Sequence, residues 1–144
     1  MGATRLKTVK AFINLKLASD QININANSEV TFVEESADGL SVSSNRVTLK
    51  AGTTYVLSCD LRHVGSATST SGTYIWRDYT NSVNLGIGLL VNSQDDPTDD
   101  GVQPAAVVIV KPTTDIDVGV RCTFVNAANQ KLAADATQAS IYSI

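Results

Sequence analysis

Apolar and polar residues alternate along most of this chain with a period of two. "VKAFINLKL" (residues 9–17) has the pattern, and "INAN" and "SEVTFVEE" (24–35) extend it. "NRVTLKAG" (45–52) reads as a short strand ending in a turn, and "TTYVLSCDLRHV" (53–64) puts Tyr55, Leu57, Cys59 and Leu61 on one face. Further strands are predicted in "GTYIWRDYT", "NLGIGLLVN", "AAVVIVKP", "DIDVGVRCTFV" and "ATQASIYSI". In the fourth of these, Ile116, Val118, Val120, Cys122 and Phe124 share a face. β-Branched and aromatic residues fill the runs, with Gly, Asn, Asp and Ser between them, which is the signature of strands joined by turns. Only "NAANQKLAADA" (126–136) has fair helix propensity; its apolar spacing is poor, so a long turn with one helical turn is expected. The predicted class is an all-β, antiparallel β-sandwich of about 8–10 strands.

Two runs break the alternation. "AAVVIV" (105–110) is apolar at every position, whereas a strand in a two-layer sandwich normally turns one face to water. "LGIGLLV" (85–91) carries two glycines, which weaken a strand unless another backbone comes close. Together they predict an oligomer with a tightly packed axis, through Val108, Ile109, Val110, Ile87 and Leu89. On this reading Val108→Asp or Ile109→Asp breaks assembly without unfolding the subunit. The competing reading is a central strand lying under a long loop.

The chain's 144 residues suffice for one domain with a real core. Residues 1–18 read as a basic arm and first strand, and 19–144 as the body of the same single domain. Charged residues are only 17% of the chain, and the formal net charge is −3. That balance gives no general attraction to nucleic acid or to an anionic membrane, so neither is expected as a partner. No run approaches the roughly 20 apolar residues of a membrane-spanning helix. No signal peptide is visible at the N-terminus, and a cytosolic site of synthesis is expected.

Candidate chemistry is sparse. Cys59 and Cys122 both sit in apolar alternations and lack CxxC spacing, so buried free thiols are expected, with a disulfide across the core as the alternative. His63 is the only histidine. It lies near a strand end with no nucleophile motif around it and reads as an exposed or capping side chain, so no enzyme is expected.

"QDDPTDDG" (94–101) holds Asp95, Asp96, Asp99 and Asp100, four of the fourteen acidic residues. Clustered carboxylates with glycine carbonyls can supply the six to eight oxygens that calcium takes. Counted as an EF-hand from Asp96, Thr98, Asp100 and Gly101 fall in order, but the twelfth position is Val107 instead of Glu. A calcium site and a solvated acidic turn both remain open, and no other cofactor is expected. Arg5 and Lys7 form a basic arm suited to an acidic surface, or a frayed terminus. "YIWRDYTN" (74–81) puts Tyr74, Trp76 and Asp78 on one strand face and Ile75, Arg77 and Tyr79 on the other. Trp76 is therefore expected in the core, with Arg77 and Tyr79 outside as contacts for a partner or a glycan.

From residue 49 onward the order of features resembles the TNF/C1q-like jelly-roll domain, particularly the form found in phage virion proteins. The resemblance rests on "LKAGTTYVLSCDL" (49–61), "YIWRDYTNSVNLGIG" (74–88), "AAVVIVKPTTDIDVGVRCTF" (105–124) and the terminal "ASIYSI" (139–144). It covers roughly two-thirds of the chain. It implies a compact ten-strand homotrimer on the virion surface, made in the host cytoplasm. The implied role is a capsid decoration or head-fibre protein, held on the major capsid protein or another virion protein. A receptor-binding tail-fibre or tailspike tip, gripping host glycan or protein, is the alternative.

Overall fold

The computed structural model describes residues 10–64, 70–92 and 103–144. The strands follow the predicted runs closely. They are β1 (Phe12–Leu17), β2 (Gln21–Ile24), β3 (Phe32–Asp38), β4 (Val42–Ser43), β5 (Arg46–Leu49), β6 (Tyr55–Leu61) and β7 (His63–Val64). After them come β8 (Ser71–Asp78), β9 (Val83–Asn92), β10 (Gln103–Val110), β11 (Ile116–Val125), β12 (Gln130–Leu132) and β13 (Gln138–Ser143). Every paired strand in the ladders is antiparallel.

Two layers hold the core between them. The first joins β10-β6-β13 to the β1-β3 pair. The junction is Ser143 N donating to Ala11 O at 2.9 Å and Ala11 N donating to Ser143 Oγ at 2.9 Å. The second layer runs β4-β5-β11-β8-β9. A small third sheet, β2-β12-β7, closes one end. This non-sequential order is what a jelly roll requires, and the expected fold class holds.

The alternation decides what is buried. Tyr55, Leu57, Cys59 and Leu61 of β6 all point inward, as do Ile116, Val118, Val120 and Cys122 of β11. Trp76 and Tyr74 are fully buried between the layers. Phe124 departs from the prediction and is 49% exposed. The cause is a bulge: Cys122 pairs with Tyr74, and the next partners are Phe124 and Thr73, so Thr123 is an extra residue that reverses the phase.

The segment 126–136 also departs from the expected turn. It contains β12, which pairs with both β2 and β7 and buries Gln130 and Leu132 completely. Long-range pairing outweighs the weak local helix preference.

Both cysteines are free and buried, Cys59 in the first layer and Cys122 in the second. Burial raises both thiol pKa values, that of Cys59 strongly. Neither thiol should react with a thiol reagent in the native protein, whereas two should react in denaturant. Silence in denaturant would mean a disulfide, and a fast native reaction would place a thiol at the surface.

Candidate interaction surfaces

Exposed apolar residues gather at two places. The first lies along β9 and the margin of β10. Between the pairs Tyr74↔Leu89 and Trp76↔Leu85, β8 advances two residues while β9 advances four. The surplus is accommodated in Gly86-Ile87-Gly88, and Ile87 stands 79% exposed. Both glycines are required by geometry. Gly86 has φ +70°, and a Cβ there would lie 3.1 Å from Val108 Cβ. A Cβ on Gly88 would lie 2.8 Å from Tyr74 O. Gly88→Ala should therefore cost about 1–3 kcal/mol, measured by chemical denaturation, because the neighbouring atom is backbone and cannot swing aside. A neutral result would contradict the bulge.

Val83, Leu89 and Leu90 flank Ile87 on β9 and are also exposed, and Val107 and Ile109 face solvent on β10. Of the five expected interface residues, Ile87, Leu89 and Ile109 are thus exposed. Val108 and Val110 instead turn inward and pack against this chain's own core. Val108→Asp is accordingly a test of folding, and the expectation that it spares the subunit is withdrawn. Val107 takes the outward position, which an all-apolar run could not reveal.

The second surface is the outer face of the first layer. The ladders align Ile109 with Val56 and Val56 with Tyr142. Phe12 adjoins this row through the Ala11–Ser143 hydrogen bonds, and Phe12, Tyr142 and Ile144 are all exposed. One row along, Val107, Ser58 and Ser140 align, and the side chains on β6 and β13 become small and polar, with Ser58 Oγ 2.8 Å from Ser140 Oγ. Ser58 and Ser140 floor a 310 Å³ groove whose wall includes Asn14, Glu35, Asp60 and Gln138.

A different constellation lies on the outside of the second layer. The registers place Gly119, Arg77 and Asn84 in one row across β11, β8 and β9, and Arg46 on β5 adjoins it, its Cγ 3.6 Å from where a Gly119 Cβ would stand. Gly119 leaves a seat that the Tyr79 ring fills, its Cε2 lying 3.2 Å from where a Cβ would stand. The Arg46 guanidinium covers the ring at 3.8 Å, and that of Arg77 lies at 5.8 Å. Arg46 is ion-paired with Glu29, Arg77 donates to Asn84 Oδ1 at 3.1 Å, and Arg121 donates to Asn27 Oδ1. Burial raises the Tyr79 hydroxyl pKa to about 12. Tyr79 is therefore a spacer between guanidinia, with one face already taken, while Arg77 is half-buried at the surface.

The remaining sequence candidates fall elsewhere. Asp95, Asp96, Asp99 and Asp100, and likewise Arg5 and Lys7, lie outside the described residues. Among the described residues no group of three or more His, Cys, Asp or Glu is arranged to hold a metal. His63 corrects the expectation of an exposed or capping side chain: it is only 2% exposed, because β12 and the start of β8 cover it.

Comparison with solved structures fits the topology. Murine APRIL in crystals at pH 8.0 superposes with a TM-score of 0.61 at 12% identity, covering 94% of this chain and 99% of APRIL. The chain has a TNF-like jelly-roll fold. APRIL at pH 8.5 gives 0.62 at 10% identity with the same coverage. The Eiger TNF of S. frugiperda gives 0.57 at 11% identity, covering 94% of this chain and 92% of that one. No protein-family model and no curated protein matches the sequence. At such identities the likeness to the TNF-like structures concerns the fold alone.

Proposed function

We propose that the protein is a virion-surface structural protein, a homotrimeric TNF-like jelly roll that decorates a phage capsid and works by contact, without catalysis. The observation that carries the assembly is an exposed apolar band on one subunit, from Ile87 on β9 through Ile109 on β10 to Tyr142 and Phe12. Isolated exposed apolar side chains are ordinary, but clusters of them mark interaction sites. Head-to-tail contact that sets one end of this band on the other makes a closed ring when the rotation closes. In that ring the β9 bulge of one subunit, led by Ile87, covers the Phe12–Tyr142 face of the next.

The capsid placement is supported by the sequence resemblance to phage virion domains and by the basic arm at Arg5 and Lys7. Quantitative mass spectrometry of purified particles tests it. A high copy number, in proportion to the major capsid protein, is expected. A few copies per particle, or none, would overturn the decoration role.

The Arg46–Tyr79–Arg77 ledge favours the second reading, a module that recognises an anionic host glycan or protein. Arg77 is fixed by a neutral amide, which orients the guanidinium without cancelling its charge. Incubation with whole host cells separates the readings. Depletion of the protein from solution, abolished by Arg77→Ala, would support receptor recognition, and no depletion would leave decoration as the function.

A further inference from the structure

His63 lies where β6 gives way to β7, close to the start of β8 and to β12. Its Nδ1 is 2.8 Å from Tyr74 Oη, and its Nε2 is hydrogen-bonded to Gln130 Oε1. Gln130 is oriented from its other side, where its Nε2 donates to Ala127 O at 2.8 Å and to Asn126 Oδ1 at 3.2 Å. The amide oxygen of Gln130 therefore faces His63, and an acceptor there requires the imidazole proton on Nε2. Nδ1 is left with its lone pair and accepts the Tyr74 hydroxyl proton. Asn126 extends the chain to β8, accepting Ser71 N on its Oδ1 at 2.9 Å.

The enclosure is tight. The ring packs against Gly72, where a Cβ would lie 3.1 Å from His63 Cε1. The His63 and Tyr74 rings meet edge-on, with centroids 5.9 Å apart. A single buried histidine thus ties together β7, β8, β12 and the turn after β11.

We propose that His63 is an acid-released latch on this end of the sandwich. A proton on Nδ1 puts a positive charge into a buried site whose described partners are neutral, and the cost of that charge favours opening of β7 and β12 away from β8. The two main layers, whose ladders contain no histidine, stay paired.

Among the described residues, the groups facing His63 offer nothing to stabilise an imidazolium. Tyr74 on β8 and, behind it, Cys122 on β11 are both held neutral by burial. Gln130 on β12 and Asn126 in the preceding turn are neutral amides. The charged side chains described at this end are engaged with one another: Arg62 with Asp135 and Lys131 with Asp20, each at 3.0 Å. Residues 65–69 contain no titratable side chain, and the Asp95–Asp100 carboxylates lie outside the described residues. Carboxylates titrate mostly below pH 5, so the window from pH 7.5 to 5.5 belongs to His63.

Burial holds the His63 pKa below its usual value of 6.5 in the closed state. A released His63 returns to about 6.5, so the open state binds more protons and gains as pH falls. If the closed ring stays neutral, the opening constant rises about tenfold between pH 7.5 and 5.5.

Amide hydrogen exchange on the full chain, corrected for intrinsic rates, tests this. The Ala133 amide, which donates to Arg62 O at 2.9 Å, should lose about tenfold in protection, while amides of β5 and β11 keep theirs. In His63→Gln, whose side chain keeps a donor and an acceptor but does not titrate, Ala133 protection should be the same at both pH values. Unchanged protection in the native protein, or an equal loss in the variant, overturns the latch. Should the variant not fold, the ring nitrogens of the native protein decide by NMR. The Nε2–H tautomer is expected at pH 7.5, titrating below 6.5 in step with Ala133 exchange. An Nδ1–H tautomer, or titration at or above 6.5, overturns it. None of these outcomes depends on the trimer.

Discussion

Ile87→Asp yields a folded monomer. Ile87 is 79% exposed at the tip of the β9 bulge, so the isolated subunit loses almost no core packing with its side chain. In the proposed ring the same side chain sits under a neighbour, and an aspartate there must leave water without a partner. An uncompensated buried charge costs several kcal/mol, and each of the three contacts in the ring would carry one. Ile22→Asp is the control, since Ile22 is 65% exposed but lies on β2, away from both surfaces. Circular dichroism should show the same β spectrum for both variants and the native chain. Light scattering should show a loss of mass for Ile87→Asp alone. An Ile87→Asp protein that keeps its full assembled mass would remove the bulge from the interface.

Trp76→Ala should cost about 3–5 kcal/mol of stability. Trp76 is fully buried on β8, which lies between β11 and β9 in the second layer, and it is among the largest side chains of the core. Its Nε1 is buried with no hydrogen-bond partner. Trp76→Phe therefore removes an unsatisfied donor along with some volume and should cost clearly less than the alanine change. Denaturant titration at one fixed protein concentration measures both, because association adds to apparent stability. An alanine variant within about 1 kcal/mol of the native chain would place Trp76 outside the packed core.

Period-two alternation was readable wherever one face met the core and the other met water. Tyr55 to Leu61 and Ile116 to Cys122 were predicted residue by residue for that reason. Phe124 was misplaced because a single extra residue, Thr123, reverses the phase, and a bulge leaves little local mark in sequence. Val107 and Val108 were interchanged because "AAVVIV" has no polar position to set the phase; the pairing with β6 sets it. The two glycines around Ile87 did signal an unusual strand, and the structure shows their cause in the backbone of Tyr74 and the side chain of Val108.

His63 could not be placed from its neighbours. Its partners Tyr74 and Gln130 are 11 and 67 positions away, and only the folded chain brings them together. The same holds for Arg46, which joins Tyr79 across two strands and was missed as part of the ledge. A lone buried polar residue is the weakest signal a sequence carries, since its meaning resides in distant partners.

The most direct test of the proposed assembly is the molar mass of the purified chain by light scattering. The account predicts about three times 15.2 kDa, stable on dilution. A mass of 15.2 kDa across the accessible concentration range would contradict it.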